Sequence, residues 1–142
     1  MKGNQVLRYT GKDVQHWTMK EWLQTKSPAL RPLAAGWFNQ IQNCGADVHA
    51  IFHDGCPMAC VDNAPFAYVN AFTTHVNIGF FYGAYLSDKL KLLHGSGRHM
   101  RHIKLFPESP APEEAIKALL AASYVDIKCR LDSASILKND LP

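Results

Sequence analysis

Apolar residues recur along this chain with two different periods, and the change between them marks out its elements. Leu30, Leu33, Ala34, Trp37, Phe38 and Ile41 return every three or four positions, which predicts a helix with one face in a core. Ser27-Pro28 suits its start, a cap oxygen followed by a proline that needs no helical partner, and Gly45 suits its stop. Gly36 sits inside it at a cost of about 1 kcal/mol relative to alanine, and is expected to let the helix approach a sheet closely. Residues 48–52 leave room for one more helical turn before Gly55 and Pro57.

From Met58 onward the period shortens. Residues 58–61, 66–69 and 76–81 are β-branched and aromatic runs parted by Asp62-Asn63 and a second polar break, and they predict an antiparallel meander. Leu86, Leu90 and Leu93 predict a short helix ending at His94-Gly95. Residues 102–106 predict a strand with Ile103 and Leu105 on one face and His102 and Lys104 on the other. A final helix opens at Ser109-Pro110 or Pro112, with Glu113 and Glu114 at the positive end of its dipole. Ile116, Leu119, Leu120, Tyr124, Ile127 and Leu131 form its core stripe. The order implies an α+β fold: an antiparallel sheet of four to five strands with helices on one face. Residues 27–142 form that domain. Residues 1–26 read as an N-terminal appendage with one short helix, opened by Asp13 and carrying Val14, Trp17 and Trp22 on one side.

Composition narrows the class. With 47% hydrophobic and 19% charged residues, the 142-residue chain can bury a core, which excludes a disordered, collagenous or coiled-coil protein. A formal charge of +3 is well below the footprint of a dedicated nucleic-acid binder. The N-terminal stretch lacks the apolar segment of a signal peptide, and the longest apolar run, residues 76–86, is short of the about 20 residues that span a bilayer. A cytosolic location without nucleic-acid or membrane partners is expected, with Cys44, Cys56, Cys60 and Cys129 as free thiols. An apolar sheet face left open by the helices would argue for a homodimer.

Two stretches carry candidate chemistry. Cys44, His49, His53, Cys56 and Cys60 are metal-ligand types, and His49 and His53 would share one helix face at a spacing of four. No closed zinc motif results, because three residues part Cys56 from Cys60 and Pro57 stiffens the turn between them. The simpler reading makes Cys60 a small buried hydrophobe and leaves the histidines solvated, so no metal is assigned. Cys56 beside His53 and Asp54 lacks an oxyanion partner, so no catalytic residue is assigned either. The second stretch contains Gly95, Gly97, Arg98 and Arg101. Its glycines can turn backbone amides toward one point, and its arginines suit phosphate or carboxylate, which makes these four residues candidates for binding a small anionic or phosphorylated ligand. Arg101 would share a face with Ile103 and Leu105, where a structural pair with Asp88 or Asp126 is the alternative.

Three stretches together resemble a known family. Asp54-Gly55-Cys56-Pro57, the run from His75 to Leu86, and the run from Leu92 to Leu105 follow the order found in the YdhG-like family of bacterial domains of unknown function. The resemblance covers about residues 50–126. It implies an α/β sandwich similar to frataxin, and an intracellular iron-binding role linked to iron–sulfur cluster assembly. The residues themselves pull against iron: the predicted helix over residues 27–43 contains no Asp or Glu, and Asp47, Asp54, Asp62 and Asp88 are scattered. A non-enzymatic binding domain is the function this sequence predicts, with iron or a small anion as its cargo.

Overall fold

Two dipeptides in the left-handed region close the first two hairpins. Asp54-Gly55 has φ of 53° and 76°, and Asp62-Asn63 has φ of 50° and 62°. Positive φ at both central positions matches the right-handed twist of the flanking strands, so each pair holds a two-residue turn. The computed structural model of the protein describes residues 6–139, with side chains as far as residue 135. The turns join β1 (Val48–His53), β2 (Cys56–Val61) and β3 (Ala64–Ala71). β4 (Val76–Phe80) and β5 (Arg101–Leu105) complete a five-stranded antiparallel sheet in sequential order.

Three helices flank it: α1 (Met19–Gln24), α2 (Arg31–Gln42) and α3 (Glu113–Asn139). α2 and α3 both lie on one face of the sheet, over β3. The expected α+β architecture is present. Phe38, Ile41, Ile116, Leu120 and Ile127 meet Val69, Val76, Ile78 and Phe80 in one core, all nearly or fully buried. Burying each such side chain contributes about 1.5–3 kcal/mol. A register shift between Ala59 and Cys60 leaves Phe66 unpaired on β3. Its ring meets Tyr124 of α3 edge-on at 6.0 Å, so the bulge keeps this phenylalanine in the core.

Several local expectations are corrected. Residues 48–52 are strand, because their partners lie in β2: Val48 pairs with Val61 and His53 with Cys56. Residues 86–93 are irregular after a 3₁₀ turn at Gly83–Tyr85. Lys91 has φ of 55°, which a helix cannot hold, and the Asp88 carboxylate accepts the Leu92 and Leu93 amides, each at 2.8 Å. α2 starts at Arg31, four positions beyond Ser27, with a proline in its first turn and no side-chain cap. Gly36 is exposed and a Cβ there would touch nothing within 4 Å, so it does not serve contact with the sheet.

The segment before residue 27 is tied to the sheet. α1 is capped by Thr18, whose hydroxyl accepts the Glu21 amide at 3.1 Å while Glu21 accepts the Thr18 amide at 3.0 Å. Asp13 instead belongs to a 3₁₀ turn, Gly11–Asp13, and accepts the Thr10 amide at 2.7 Å. Trp22 is buried and donates its indole N–H to the Gly55 carbonyl at 2.7 Å. Residues 6–15 run over the helix-free face beside β1 and end at its outer edge, where Gln15 forms an antiparallel bridge to Phe52. There the Tyr9 amide donates to the Asn63 carbonyl and the Gln15 amide to the Phe52 carbonyl, both at 2.8 Å.

Candidate functional site

Strand alternation sends every second side chain to the helix-free face. From β2 these are Cys56, Met58 and Cys60, and from β3 Tyr68 and Asn70. The N-terminal segment covers the β1 side, with Tyr9 stacked on His53 at a centroid distance of 4.4 Å and Arg8 paired with Asp62 at 2.8 Å. On the other side Phe81 meets the Tyr68 ring edge-on at 5.9 Å, and Met100 comes over from the loop before β5. Between these walls lies a cleft of about 490 Å³, lined by Tyr9, His53, Met58, Tyr68, Phe81 and Met100 together with the charged Arg8, Asp13 and Asp54. Its size and mixed lining are those of a small-molecule pocket.

The floor of this cleft disfavours charge. Burial pushes the Cys56 thiol up to about 12, with Asp54 adding to the rise, and burial raises the Tyr68 and Tyr9 hydroxyls as well. At its wall, His53 Nδ1 is buried and has no hydrogen-bond partner; Asp54 Oδ2 lies 3.3 Å away, outside hydrogen-bonding geometry. A buried polar atom left unpaired costs about 1–3 kcal/mol, and a ligand group supplying that bond would recover it. Asn77 Oδ1, on β4 of the same face, is likewise buried and unpaired.

The sequence candidates fall into two places. His49 pairs across the sheet with Cys60, and His53 with Cys56, so all four share one face. Four residues along a strand are about 13 Å, which holds the two pairs apart. His49 Nε2 donates to Asn63 Oδ1 at 3.0 Å, and the buried Cys60 thiol is pushed up to about 12. Among the described residues no three His, Cys, Asp or Glu side chains are grouped to hold a metal ion. Gly95, Gly97 and Arg98 are exposed in the loop before β5. Arg101 folds back on that loop, donating from Nη1 to the Gly97 carbonyl at 2.5 Å and the Met100 carbonyl at 2.6 Å. The alternative pairing with Asp88 or Asp126 is not formed: Asp88 holds the Leu92 and Leu93 amides, and Asp126 holds Arg130 at 2.7 Å.

Sequence reasoning passed over Leu7, Tyr9, Met58, Tyr68, Phe81 and Met100, which line the cleft. One signal was available: a large aromatic on β3 facing a glycine on β4 marks a face where a ring lies flat across the sheet.

A solved structure shares this architecture. It belongs to a protein of the DUF1801 family, YdhG of Bacillus subtilis, and matches with a TM-score of 0.60 over 76% of this chain and 89% of that one, at 14% identity. This is a YdhG-like fold. No family model and no curated protein sequence matches the chain. The likeness establishes how the chain is folded and leaves its activity to its own residues.

Among the described residues, no set of donors converges to hold iron, the cargo implied by the resemblance. Hard oxygen ligands would have to converge. Asp47 is held by Tyr124 and Lys128, Asp62 by Arg8, Asp88 by two amides and Asp126 by Arg130. α2 carries no acidic residue at all. Among the described helices, none is long and apolar enough to cross a membrane.

Proposed function

We propose that this chain is a ligand-binding domain of the YdhG-like family. Its cleft on the helix-free sheet face takes a small, uncharged, largely apolar molecule bearing one hydrogen-bonding group. Family membership is supported by the three sequence stretches and by the shared fold. The observation that carries the ligand reading is the unpaired His53 Nδ1, buried at the wall of a cleft of about 490 Å³. Burial raises the Tyr9, Tyr68 and Cys56 groups, which marks a floor little reached by water, and its contact surface is mostly aromatic and thioether side chains. Isothermal titration with indole and naphthol as probes tests it. Saturable binding by the wild type, weakened about tenfold or more in His53→Ala, is expected, since one lost hydrogen bond of 1.4 kcal/mol is a tenfold change. Failure of either probe to bind, or equal binding by His53→Ala, would count against the reading.

A second reading, a small anionic or phosphorylated ligand at the loop of Gly95, Gly97, Arg98 and Arg101, draws on one observation. His94 and His102 face each other in an antiparallel bridge with rings 6.4 Å apart. Lys104 follows two positions on, and burial, His94 and Lys104 all hold the His102 imidazole below its ordinary value. An anion there would relieve that repulsion. Against it, Arg101 already spends Nη1 on two loop carbonyls. Phosphate-dependent shifts of the His94 and His102 imidazole signals, reduced in Arg98→Ala, are what this reading requires.

A further inference from the structure

The helix-free face continues beyond the cleft in rows that run across β3, β4 and β5. Tyr68, Gly79 and His102 stand in one row, and Asn70, Asn77 and Lys104 in the next. Phe72, His75 and Phe106 form a third row just past the strand ends. Phe72 stacks on His75 at 4.9 Å, and the Phe106 ring lies 5.8 Å from the same imidazole. Phe72 is 46% exposed and Phe106 43%, so this row of rings is open to solvent. In the middle row Asn77 Oδ1 is buried without a partner, and no carboxylate among the described residues pairs with Lys104. The net charge of +3 also hides a local excess. Residues 64–107 hold five Lys and Arg, four His and a single acid, Asp88, which is occupied by the Leu92 and Leu93 amides. Burial first, and then Lys104 among the neighbouring charges, holds both His75 and His102 below their ordinary value, as expected of positive charge with no acid to balance it.

We propose that this surface binds single-stranded nucleic acid, with bases stacked on the row of Phe72, His75 and Phe106 and the phosphates passing Lys104 and His102. Unpaired bases present flat faces that stack on exposed rings, each for about 1–3 kcal/mol. Lys104 lies one row away, about 7 Å along the strand, so a base on the rings brings its own phosphate near the ammonium. Asn77 Oδ1 is an acceptor placed for an N–H group on a base edge. From Phe106 to His102 is about 13 Å of β5, more than one base covers, and that length selects a strand over a free nucleotide. A duplex keeps its base faces stacked inside and has none to offer these rings. A lipid surface would use the apolar rings and the lysine but not the unpaired amide between them. The surface adjoins the cleft and does not depend on what the cleft binds.

Fluorescence anisotropy of the full chain with labelled oligouridylate and oligothymidylate, each about twelve nucleotides long, tests this. Saturable binding of either is expected at about 50 mM salt, weakened about sevenfold at about 200 mM if two phosphates are neutralised. Phe72→Leu and Phe106→Leu keep apolar bulk at exposed positions and remove the ring. Each is expected to weaken binding about tenfold with an unchanged far-ultraviolet circular dichroism spectrum. Lys104→Gln is expected to flatten the salt dependence. No saturable binding at up to about 100 μM chain, equal binding by a duplex of the same length, or an affinity that both leucine variants leave untouched would each overturn the proposal. Capture by phosphatidylserine vesicles in place of the oligonucleotides would overturn it as well and assign the surface to lipid.

Discussion

The ring of Tyr68 occupies the space that a side chain at position 79 would need. The two residues are directly opposed across β3 and β4, and a Cβ built on Gly79 would lie 1.8 Å from Tyr68 Cε2. Gly79 is therefore what lets the tyrosine lie over the sheet and form the middle of the cleft floor, and both residues act on one feature.

Replacing Gly79 with alanine forces the Tyr68 ring away. Overpacking of this kind costs about 1–3 kcal/mol. Gly79→Ala should lower the urea midpoint by that amount and abolish probe binding. The double variant with Tyr68→Ala should be distinctly more stable than the sum of the two single changes implies. Additive effects would show that the two residues do not contend for the same space.

Trp22 ties α1 to the β1–β2 turn through its bond to the Gly55 carbonyl. Trp22→Phe keeps most of the buried ring and removes the donor, leaving an acceptor without its partner. A loss of about 1–3 kcal/mol in urea unfolding is expected, with an unchanged denaturant slope. No loss would mean that the segment before residue 27 contributes nothing to the stability of the sheet.

The cysteines should react in an order set by burial. Cys129 is exposed, while Cys56 and Cys60 are buried with thiols pushed up to about 12 from an ordinary 9.0. Three pH units leave roughly a thousandfold less thiolate at neutral pH. Iodoacetamide at pH 7.5 should modify Cys129 first, and Cys56 and Cys60 only under denaturing conditions, as read by peptide mass spectrometry. Rapid labelling of Cys56 in the folded protein would contradict the buried floor.

Stability should decline on mild acidification. The His102 imidazole is held below its ordinary 6.5 by burial first, then by His94 and Lys104, and His75 is lowered by burial, Lys104 and His102. A lowered value in the folded state means the unfolded chain binds these protons more readily. Stability is therefore fully present above about pH 6.5 and falls as the pH drops through the folded values. The urea midpoint should fall between pH 7.5 and pH 5, and fall less in His102→Gln. An identical decline in that variant would remove His102 from the account.

Much of the fold was legible because it is written locally. The Asp62-Asn63 turn, the β-branched runs around it and the Pro112-Glu113-Glu114 helix start each carry their own signal over a few residues. β1 was not legible, since Val48, Ile51 and Phe52 suit a helical turn as well as a strand and the choice is made by pairing with β2. Leu86, Leu90 and Leu93 mimic a helix, but Lys91 breaks it in the left-handed region and Asp88 satisfies the freed amides. The cleft was hidden for a further reason. Its walls come from Leu7 and Tyr9 at one end of the chain and Met100 far along it, brought together only when the N-terminal segment runs over the helix-free face beside β1.

The central claim is that the helix-free face, and not the loop around Arg98, holds the ligand. Carbon-13 labelling of the methionine methyl groups reads this directly, because Met58 and Met100 line the cleft while Met19 is on α1. Titration with indole should shift the Met58 and Met100 signals along a saturable curve and leave Met19 in place, and His53→Ala should need about tenfold more probe to reach the same shift. Unmoved Met58 and Met100 signals in the presence of saturating probe would contradict the account.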